Sequence, residues 1–369
     1  MTIRLGVLGL SDQSNEPAKS QYQLSALCSS SPQSAAKNAA HFSELIGHDV
    51  RPYHGPTYAI AADDSLDLVV VSIKAPARRD AVLPLLKKSR SVFVEWPLGK
   101  NIAETRELTA KAREKGVRTI VGLQAWQTPA VRKIREIIAA GSIGAVNNVT
   151  WSAVKRPAGL STFCTPFVTP SYEFALDPTN GATLADIWIG HGLSMIIRAV
   201  GPLASLSATG VTTIPTVKVG VSPDDEAAKI VSATQPDQYG VNGVFAKSGA
   251  LFSGTWCTRP LESKTTSPVL LWTISGTKGQ IHVRIGSDAF CGEAPHVYPP
   301  EAIFLNEERV SLEEANAEFG GTAGRAWAEY ARGEDGEYPT FEDALIVKQH
   351  VEALKRGVVE GRRMIASDM

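Results

Sequence analysis

Residues 91–100 read SVFVEWPLGK, and the other segments of the chain can be placed in the fold by reference to this stretch. The run from Val92 to Val94 predicts a short buried strand. Pro97 ends the strand, because proline has no N–H to donate to a sheet. In an open parallel sheet, ligands bind at the edge where the strands end, so Glu95 and Trp96 are expected at such an edge. A buried strand followed by an ordinary loop is equally compatible with this sequence. The neighbouring segments are needed to distinguish a ligand-binding edge from such a loop.

Composition and charge exclude several classes of protein. The chain has 369 residues, of which 43% are hydrophobic and 20% charged, with a net charge of −1. This length predicts two domains, and the charge balance gives no general attraction to nucleic acid or to a membrane surface. No apolar run is long enough to span a membrane, and the N-terminus lacks a signal-peptide pattern. The four cysteines are far apart and show no zinc-binding spacing, so we expect free thiols, no metal and a cytoplasmic protein.

Strand and helix patterns alternate over the first third of the chain, which predicts an α/β fold with a parallel sheet. We assign residues 1–123 to a Rossmann-like domain. A helical pattern covers residues 181–200, and strands with one polar face dominate after it. Residues 124–369 are therefore expected to form an α+β domain with an open, mostly antiparallel sheet. Its final helix is predicted at about residues 341–361, after a cap at Thr340.

The first strand ends in an incomplete dinucleotide-binding fingerprint. Gly9 holds the place of the first glycine, but Ser11 and Ser14 stand where the second and third would be. Their Cβ atoms keep the backbone further from a phosphate. Only about ten residues separate the first two predicted strands, whereas a crossover with a helix needs about a dozen. We therefore expect the first crossover helix to be shortened or missing, while Gly9 and Ser11 remain candidate cofactor-binding residues.

Three serines follow the second strand, where an NAD-binding domain usually has an acid for the ribose 2′-hydroxyl. Ser29 and Ser30 are instead suited to a 2′-phosphate, with Lys37 as a possible partner. The same serines, followed by a proline, predict an ordinary helix cap. The two interpretations are compatible.

Six segments in a fixed order resemble the Gfo/Idh/MocA family, named for glucose–fructose oxidoreductase and inositol dehydrogenase. They are IRLGVLGL at the start, VEWPLGKN around Glu95, AAGSIG at residues 139–144, NGATLADIWIGH at 180–191, ISGTKGQIHV at 274–283 and YPTFEDAL at 338–345. Within the family, the chain is most similar to the fungal branch that contains the yeast galactose-regulon repressor. The shared features are GVLGLS near the start, Glu-Trp at residues 95–96 and Ile-Gly-His at residues 189–191.

This resemblance implies a nicotinamide cofactor, NADP or NAD, at the carboxyl edge of the parallel strands. Further implied cofactor contacts are Lys74, Pro76, Glu95, Trp96 and Pro97. The small-molecule substrate would lie against the nicotinamide, in a pocket that includes Trp96, Gln124 and Trp126. The resemblance also implies a homodimer through the C-terminal sheet and no direct contact with nucleic acid.

The family's catalytic residues are only partly present. The family's lysine falls at Trp96, which cannot hold a proton for the substrate. Its Asp-x-x-x-His pair falls at Asp186 and His191, one residue further apart than usual, and positions i and i+5 do not share an α-helical face. The aspartate expected after the histidine is Ser194. We take His191, Asp186 and Tyr172 as candidate catalytic residues, although a lone histidine in an apolar helix is more often a packing residue.

Three functions fit this sequence. The first is an NADP-dependent oxidoreductase acting on a small hydroxylated or carbonyl compound. The second is a regulatory protein that senses a nucleotide or binds a protein, as the galactose repressor does. The third is a redox-inactive enzyme that has lost the dinucleotide and uses the old substrate pocket for a cofactor-free cyclisation, isomerisation or elimination.

Overall fold

The computed structural model describes residues 2–9, 21–155, 166–258, 269–286, 302–312 and 321–368. The chain divides into two units, of which the first contains Met1–Leu123 and Asn316–Leu345. The second contains Gln124–Ala315 and Ile346–Met369. The second domain was expected to cover residues 124–369, whereas Asn316–Leu345 belongs to the first unit.

The secondary structure comprises the following elements. The strands are β1 (Ile3–Leu8), β2 (Tyr22–Ser29), β3 (Arg51–His54), β4 (Leu68–Val71), β5 (Val92–Val94), β6 (Thr119–Val121), β7 (Val146–Lys155), β8 (Phe167–Val168), β9 (Leu203–Val211), β10 (Thr216–Val219), β11 (Lys229–Ser232), β12 (Gln238–Phe245), β13 (Leu251–Thr258), β14 (Leu270–Gly276), β15 (Gln280–Ile285), β16 (Ala302–Leu305), β17 (Glu308–Arg309) and β18 (Met364–Ile365). The α-helices are α1 (Pro32–Ile46), α2 (Tyr58–Ala61), α3 (Ala75–Lys87), α4 (Ile102–Lys115), α5 (Pro129–Ala139), α6 (Gly190–Val200), α7 (Gly321–Ala331) and α8 (Phe341–Glu360).

The first unit is built on a six-stranded sheet in the order β3-β2-β1-β4-β5-β6, with every neighbouring pair parallel. This confirms the predicted Rossmann-like sheet. The expectation of a shortened or missing first crossover helix falls on residues 10–20, outside the described residues.

Helix α7 belongs with the first unit because it supplies apolar side chains to one face of the parallel sheet. Its Ala326 and Tyr330 join a buried cluster with alternate residues of the strands, among them Val7, Val70 and Phe93. Burying a large apolar side chain contributes about 1.5–3 kcal/mol, which explains why this distant segment returns to the sheet. The sequence analysis missed α7, because its partners are hundreds of residues away.

The second unit contains a nine-stranded sheet in the order β17-β16-β15-β14-β7-β13-β12-β9-β18. Only β7 and β13 are parallel among its neighbouring pairs, which confirms the predicted mostly antiparallel sheet. Helix α6 packs on the buried face at Gly192, where a Cβ would lie 2.9 Å from the Trp256 Nε1. Leu251 and Leu271 on the opposite face are exposed. A smaller sheet, β11-β10-β8, completes the unit among the described residues.

The segment predicted as one helix over residues 181–200 has a π-helical turn at Ala185–Ile189 before α6 begins. In this turn the Gly190 N–H donates to the Ala185 carbonyl, five residues back. In the part of the chain that the structure describes, no helix combines the length and apolarity needed to cross a membrane.

Candidate functional site

The strand order reverses between β1 and β4, and this reversal marks the crevice where doubly wound sheets bind nucleotides. Gly9 follows β1 at this point with a φ of +84°. A Cβ on Gly9 would lie 2.0 Å from the Ser72 carbonyl oxygen, which follows β4. Only glycine fits here, as the fingerprint requires of its first position. Ser11, the second predicted contact, lies outside the described residues.

The end of β2 carries the helix cap that its serines predicted. Ser31 accepts a hydrogen bond from the Ser34 N–H, and the two residues form a capping box at the start of α1. Ser29 and the exposed Ser30 lie just before this cap, at the carboxyl edge of the sheet. Lys37 is exposed on α1, about 9 Å along the helix axis from the cap. Its Cα–Cβ bond tilts back toward that end of the helix.

His54 is a neighbour of this site that the sequence analysis missed. It ends β3 and pairs in parallel register with Ser29, so its backbone lies beside the predicted 2′-phosphate contacts. His54 is exposed, and Gly55 donates its N–H to the Ser29 carbonyl at 2.9 Å. The signal was hidden because β3 reads RPYH, with a proline and no apolar run.

The loops after β4 and β5 hold the remaining predicted cofactor contacts. Lys74 is exposed and precedes α3, and Pro76 lies in the first turn of that helix. Trp96 is 4% exposed, and its peptide bond to Pro97 is cis. Because the strands are parallel, these residues lie on the same edge of the sheet as Gly9 and Ser29.

Glu95 follows β5 and lies over the backbone of β6. A Cβ on Gly122 would lie 2.3 Å from the Glu95 Oε2, so the carboxylate occupies the space of a missing side chain. Burial raises the pKa of this carboxyl above its ordinary value, while Arg78 and the Trp96 N–H partly offset the rise. Glu95 therefore binds a proton more readily than an exposed glutamate.

The π-helical turn changes how Asp186 and His191 relate to each other. Their five-residue spacing would place them on different faces of an α-helix, which was the objection drawn from the sequence. Hydrogen bonds from residue i to i+5 accommodate one extra residue in a single turn, so the spacing is absorbed by the turn itself. His191 is 6% exposed in the first turn of α6, and Ser194 donates its hydroxyl to the His191 carbonyl.

Asp186 is a buried ion-pair partner. Its Oδ1 lies 2.7 Å from the Lys348 Nζ and 3.3 Å from the Lys355 Nζ, and its Oδ2 accepts the Thr183 hydroxyl hydrogen bond. Burial alone would raise the pKa of Asp186, but attraction by the two lysines outweighs it and the pKa is lowered. The carboxylate therefore stays charged at neutral pH, a state suited to holding the turn before His191.

Gln124 and Trp126 lie on a 3-10 turn, Gln124–Gln127, that packs against α6 within the second unit. Arg198 of α6 places its guanidinium carbon 4.2 Å from the centroid of the Trp126 ring. The Gln124 Oε1 and the Trp126 Nε1 are buried and have no hydrogen-bond partner in the described part of the structure. The first atom is an acceptor and the second a donor, so each can form a hydrogen bond with a polar group of a ligand.

Tyr172, the third candidate for proton transfer, lies on the 3-10 segment Pro170–Leu176. It is 41% exposed, and its ring stacks on Phe174 with a centroid distance of 6.5 Å.

A model of the oxidoreductase family with an NAD-binding Rossmann fold matches residues 4–123, and a model of the Gal80p C-terminal domain matches residues 129–285. The first third of the chain is therefore similar to the NAD-binding domain of the Gfo/Idh/MocA oxidoreductase family. It is 27% identical to "Dehydrogenase aclE" of Aspergillus oryzae, over 98% of this chain and 97% of that protein. It is 24% identical to the "Galactose/lactose metabolism regulatory protein GAL80" of Saccharomyces cerevisiae, over 60% of this chain and 52% of that protein.

Solved structures show the same fold over the whole length. A super-repressor mutant of Gal80p from Saccharomyces cerevisiae aligns with a TM-score of 0.82 at 20% identity, covering 100% of this chain and 99% of the other. Levoglucosan dehydrogenase aligns with a TM-score of 0.74 at 14% identity, covering 99% of both chains. The same fold therefore occurs in a regulator and in a dehydrogenase.

Proposed function

We propose that this chain is an NADP-dependent oxidoreductase that acts on a small hydroxylated or carbonyl compound. The observation that carries the proposal is Gly9, where a Cβ would lie 2.0 Å from the Ser72 carbonyl oxygen at the strand reversal. A turn that only glycine can form is what the dinucleotide-binding fingerprint has at its first position. End-to-end similarity to Dehydrogenase aclE supports the assignment to a redox enzyme.

The residues after β2 and β3 support NADP over NAD. Ser29, Ser30 and His54 offer hydroxyl and imidazole groups where an NAD-binding domain has a carboxylate. A carboxylate there would repel the 2′-phosphate, whereas hydroxyl and imidazole groups can donate hydrogen bonds to it. Lys37 adds a positive charge on the helix that starts beside them.

A bound nicotinamide would supply the hydride acceptor or donor. Among the chain's own residues, His191 is the group that moves the substrate proton, because an imidazole exchanges protons near neutral pH. Trp96 replaces the family's lysine and has no group that exchanges a proton near neutral pH, and Asp186 is already neutralised by Lys348. Tyr172 remains the alternative proton donor.

The substrate pocket includes Gln124 and Trp126. The Gln124 Oε1 would accept a hydrogen bond from a substrate hydroxyl, and the Trp126 Nε1 would donate one to an oxygen. A buried polar atom without a partner costs about 1–3 kcal/mol, so a ligand that pairs both atoms recovers this cost on binding.

A regulatory protein is the second candidate, and the match of residues 129–285 to the Gal80p C-terminal domain favours it. In that case the dinucleotide would be a signal, and Trp96 would replace a proton carrier that is no longer needed. We also propose a homodimer through the exposed face of the nine-stranded sheet, where Leu251 and Leu271 are 59% and 47% exposed.

Purified protein would be assayed for nicotinamide oxidation and reduction against a panel of small alcohols and carbonyl compounds, with His191→Ala and Trp96→Lys as variants. We expect turnover with the wild type and loss of at least about 100-fold in His191→Ala. His41→Ala, which changes an exposed histidine on α1, is the control and should retain activity. Unchanged turnover in His191→Ala would remove His191 from the mechanism. An inactive wild type that still binds NADPH would favour the regulatory function.

A further inference from the structure

Arg78 is a buried cation whose identified hydrogen bonds all go to main-chain carbonyls. It lies in the first turns of α3 and is 7% exposed. Its Nε donates to the Ile73 carbonyl at 2.8 Å, in the loop after β4. Its Nη1 donates to the Glu95 carbonyl at 2.8 Å and also to the Pro97 carbonyl, in the loop after β5. One side chain therefore joins two loops at the carboxyl edge of the sheet.

Two of the three carbonyls flank Trp96 in sequence. With the Glu95 and Pro97 carbonyls both bound to one nitrogen, the main chain on either side of Trp96 is fixed. The Ile73 carbonyl immediately precedes Lys74. Arg78 thus holds the backbone of both segments that carry the predicted cofactor contacts after β4 and β5.

The burial of a charge at this position needs a reason beyond packing. Removing a guanidinium from water is costly, and an apolar side chain would fill the same volume without that cost. A guanidinium presents two nitrogens of a fixed planar fork to the two loops, whereas a lysine has a single nitrogen and an apolar side chain has no donor. An arginine is needed here only if the loops after β4 and β5 must be held in a fixed position relative to each other.

We infer that Arg78 is a positioning residue that sets the loops after β4 and β5 for the nicotinamide half of the dinucleotide. The fold supports this division of labour, because β1–β3 and β4–β6 form two mononucleotide-binding halves on either side of the strand reversal. The adenosine half belongs to the loops after β1 and β2, which the hydrogen bonds of Arg78 described above do not reach. The inference rests on the proposed function in its use of NADPH.

Calorimetric titration with NADPH and with 2′,5′-ADP, which lacks the nicotinamide half, tests the inference. Arg78→Met should weaken NADPH binding by about tenfold or more, since the loops must be ordered at the moment of binding, and leave 2′,5′-ADP within about twofold. The NADPH affinity of Arg78→Lys should lie between those of the wild type and Arg78→Met. An ammonium group keeps the charge but has a single nitrogen to share between the two loops. Arg79→Met is the matched control, because Arg79 is the next residue and pairs at the surface with Glu107.

Equal losses for NADPH and 2′,5′-ADP in both Arg78 variants would overturn the inference, because that pattern reports general damage to the first unit. Hydrogen exchange of the ligand-free protein provides a second measurement that needs no cofactor. Amides at residues 72–77 and 95–99 should exchange faster in Arg78→Lys, with the strands unchanged, and unchanged exchange in both loops would refute the positioning role. A wild type that binds neither ligand while Arg78→Lys loosens both loops would contradict the proposed function and leave the loop positioning established.

Discussion

Single residues at the carboxyl edge of the parallel sheet decide whether this chain can hold a dinucleotide. Gly9 tolerates no Cβ, Ser29 and Ser30 replace the usual carboxylate, and Trp96 replaces the usual proton carrier. In the proposed function, the first two features serve cofactor binding and the third removes part of the chemistry. Binding of the dinucleotide and turnover therefore depend on different residues, and the two can be tested separately.

Gly9→Ala should disrupt the cofactor edge. The new Cβ would lie 2.0 Å from the Ser72 carbonyl oxygen and the residue would keep a φ of +84°, so β1 and β4 must separate locally. We expect a loss of about 1–3 kcal/mol in the free energy of unfolding, measured with urea, together with weaker NADPH binding.

Gly47→Ala is the matched control, because Gly47 has a φ of +77° but a Cβ there would meet no neighbouring atom within 4 Å. It should show only the smaller backbone cost and unchanged NADPH binding. Equal effects of the two substitutions on NADPH binding would show that the contact with Ser72 is irrelevant to the site.

The sequence predicted those residues whose reasons are local. The cap at Ser31 depends on its immediate neighbours, and it is confirmed. Arg78 and Lys348 were missed because their partners are set by the fold: Lys348 lies 162 residues from Asp186, and no periodicity links them. His54 was missed because its strand, RPYH, lacks an apolar run and forms only beside β2.

At the scale of elements, the π-helical turn and α8 form one buried connection. Asp186 at the start of the turn pairs with Lys348 and Lys355 of α8, and the side chains of Asp186 and Lys348 are both 0% exposed. The sequence objection to Asp186 and His191 assumed α-helical geometry, which is wrong for this segment. A one-residue insertion is absorbed by the turn, and the ion pair holds the turn in place.

Lys348→Met should lower the free energy of unfolding by about 3–5 kcal/mol, because it leaves a buried carboxylate short of its nearest partner. Asp186→Asn should cost a similar amount, and the double variant should cost less than the sum. Urea unfolding of the four proteins gives the coupling. Arg356→Met, which breaks the exposed pair with Glu360, is the control and should cost less than about 1 kcal/mol. Additive effects of Lys348→Met and Asp186→Asn would contradict a direct pair.

The same pair makes stability depend on pH at both extremes. The pKa of Asp186 is lowered, so its contribution is present above the ordinary carboxyl pKa and is lost as the pH falls through the acidic range. The pKa of Lys348 is raised by Asp186 and Glu352 despite burial, so its contribution is present below the ordinary lysine pKa and is lost at higher pH. The double variant should therefore show a flatter dependence of unfolding free energy on pH than the wild type.

At the scale of the whole molecule, the second unit leaves one broad sheet face exposed. Leu251→Arg on that face should shift the protein from dimer toward monomer, because it places charges opposite each other across a symmetric interface. Sedimentation velocity over a range of concentrations measures the shift. Leu45→Arg is the control, because Leu45 is equally exposed, at 58% against 59% for Leu251, but lies on α1. A wild type that remains monomeric would refute the proposed dimer.

A calorimetric titration of the purified wild type with NADPH and, separately, with NADH tests directly whether the site at Gly9 binds a dinucleotide. We expect NADPH to bind and NADH to bind at least about tenfold more weakly, which corresponds to about 1.4 kcal/mol in binding free energy. The reason is that Ser29, Ser30 and His54 lack the carboxylate that would favour NADH. Absence of binding by both would contradict the claim that the site at Gly9 still holds a dinucleotide, and would direct attention to a cofactor-free reaction or a protein partner.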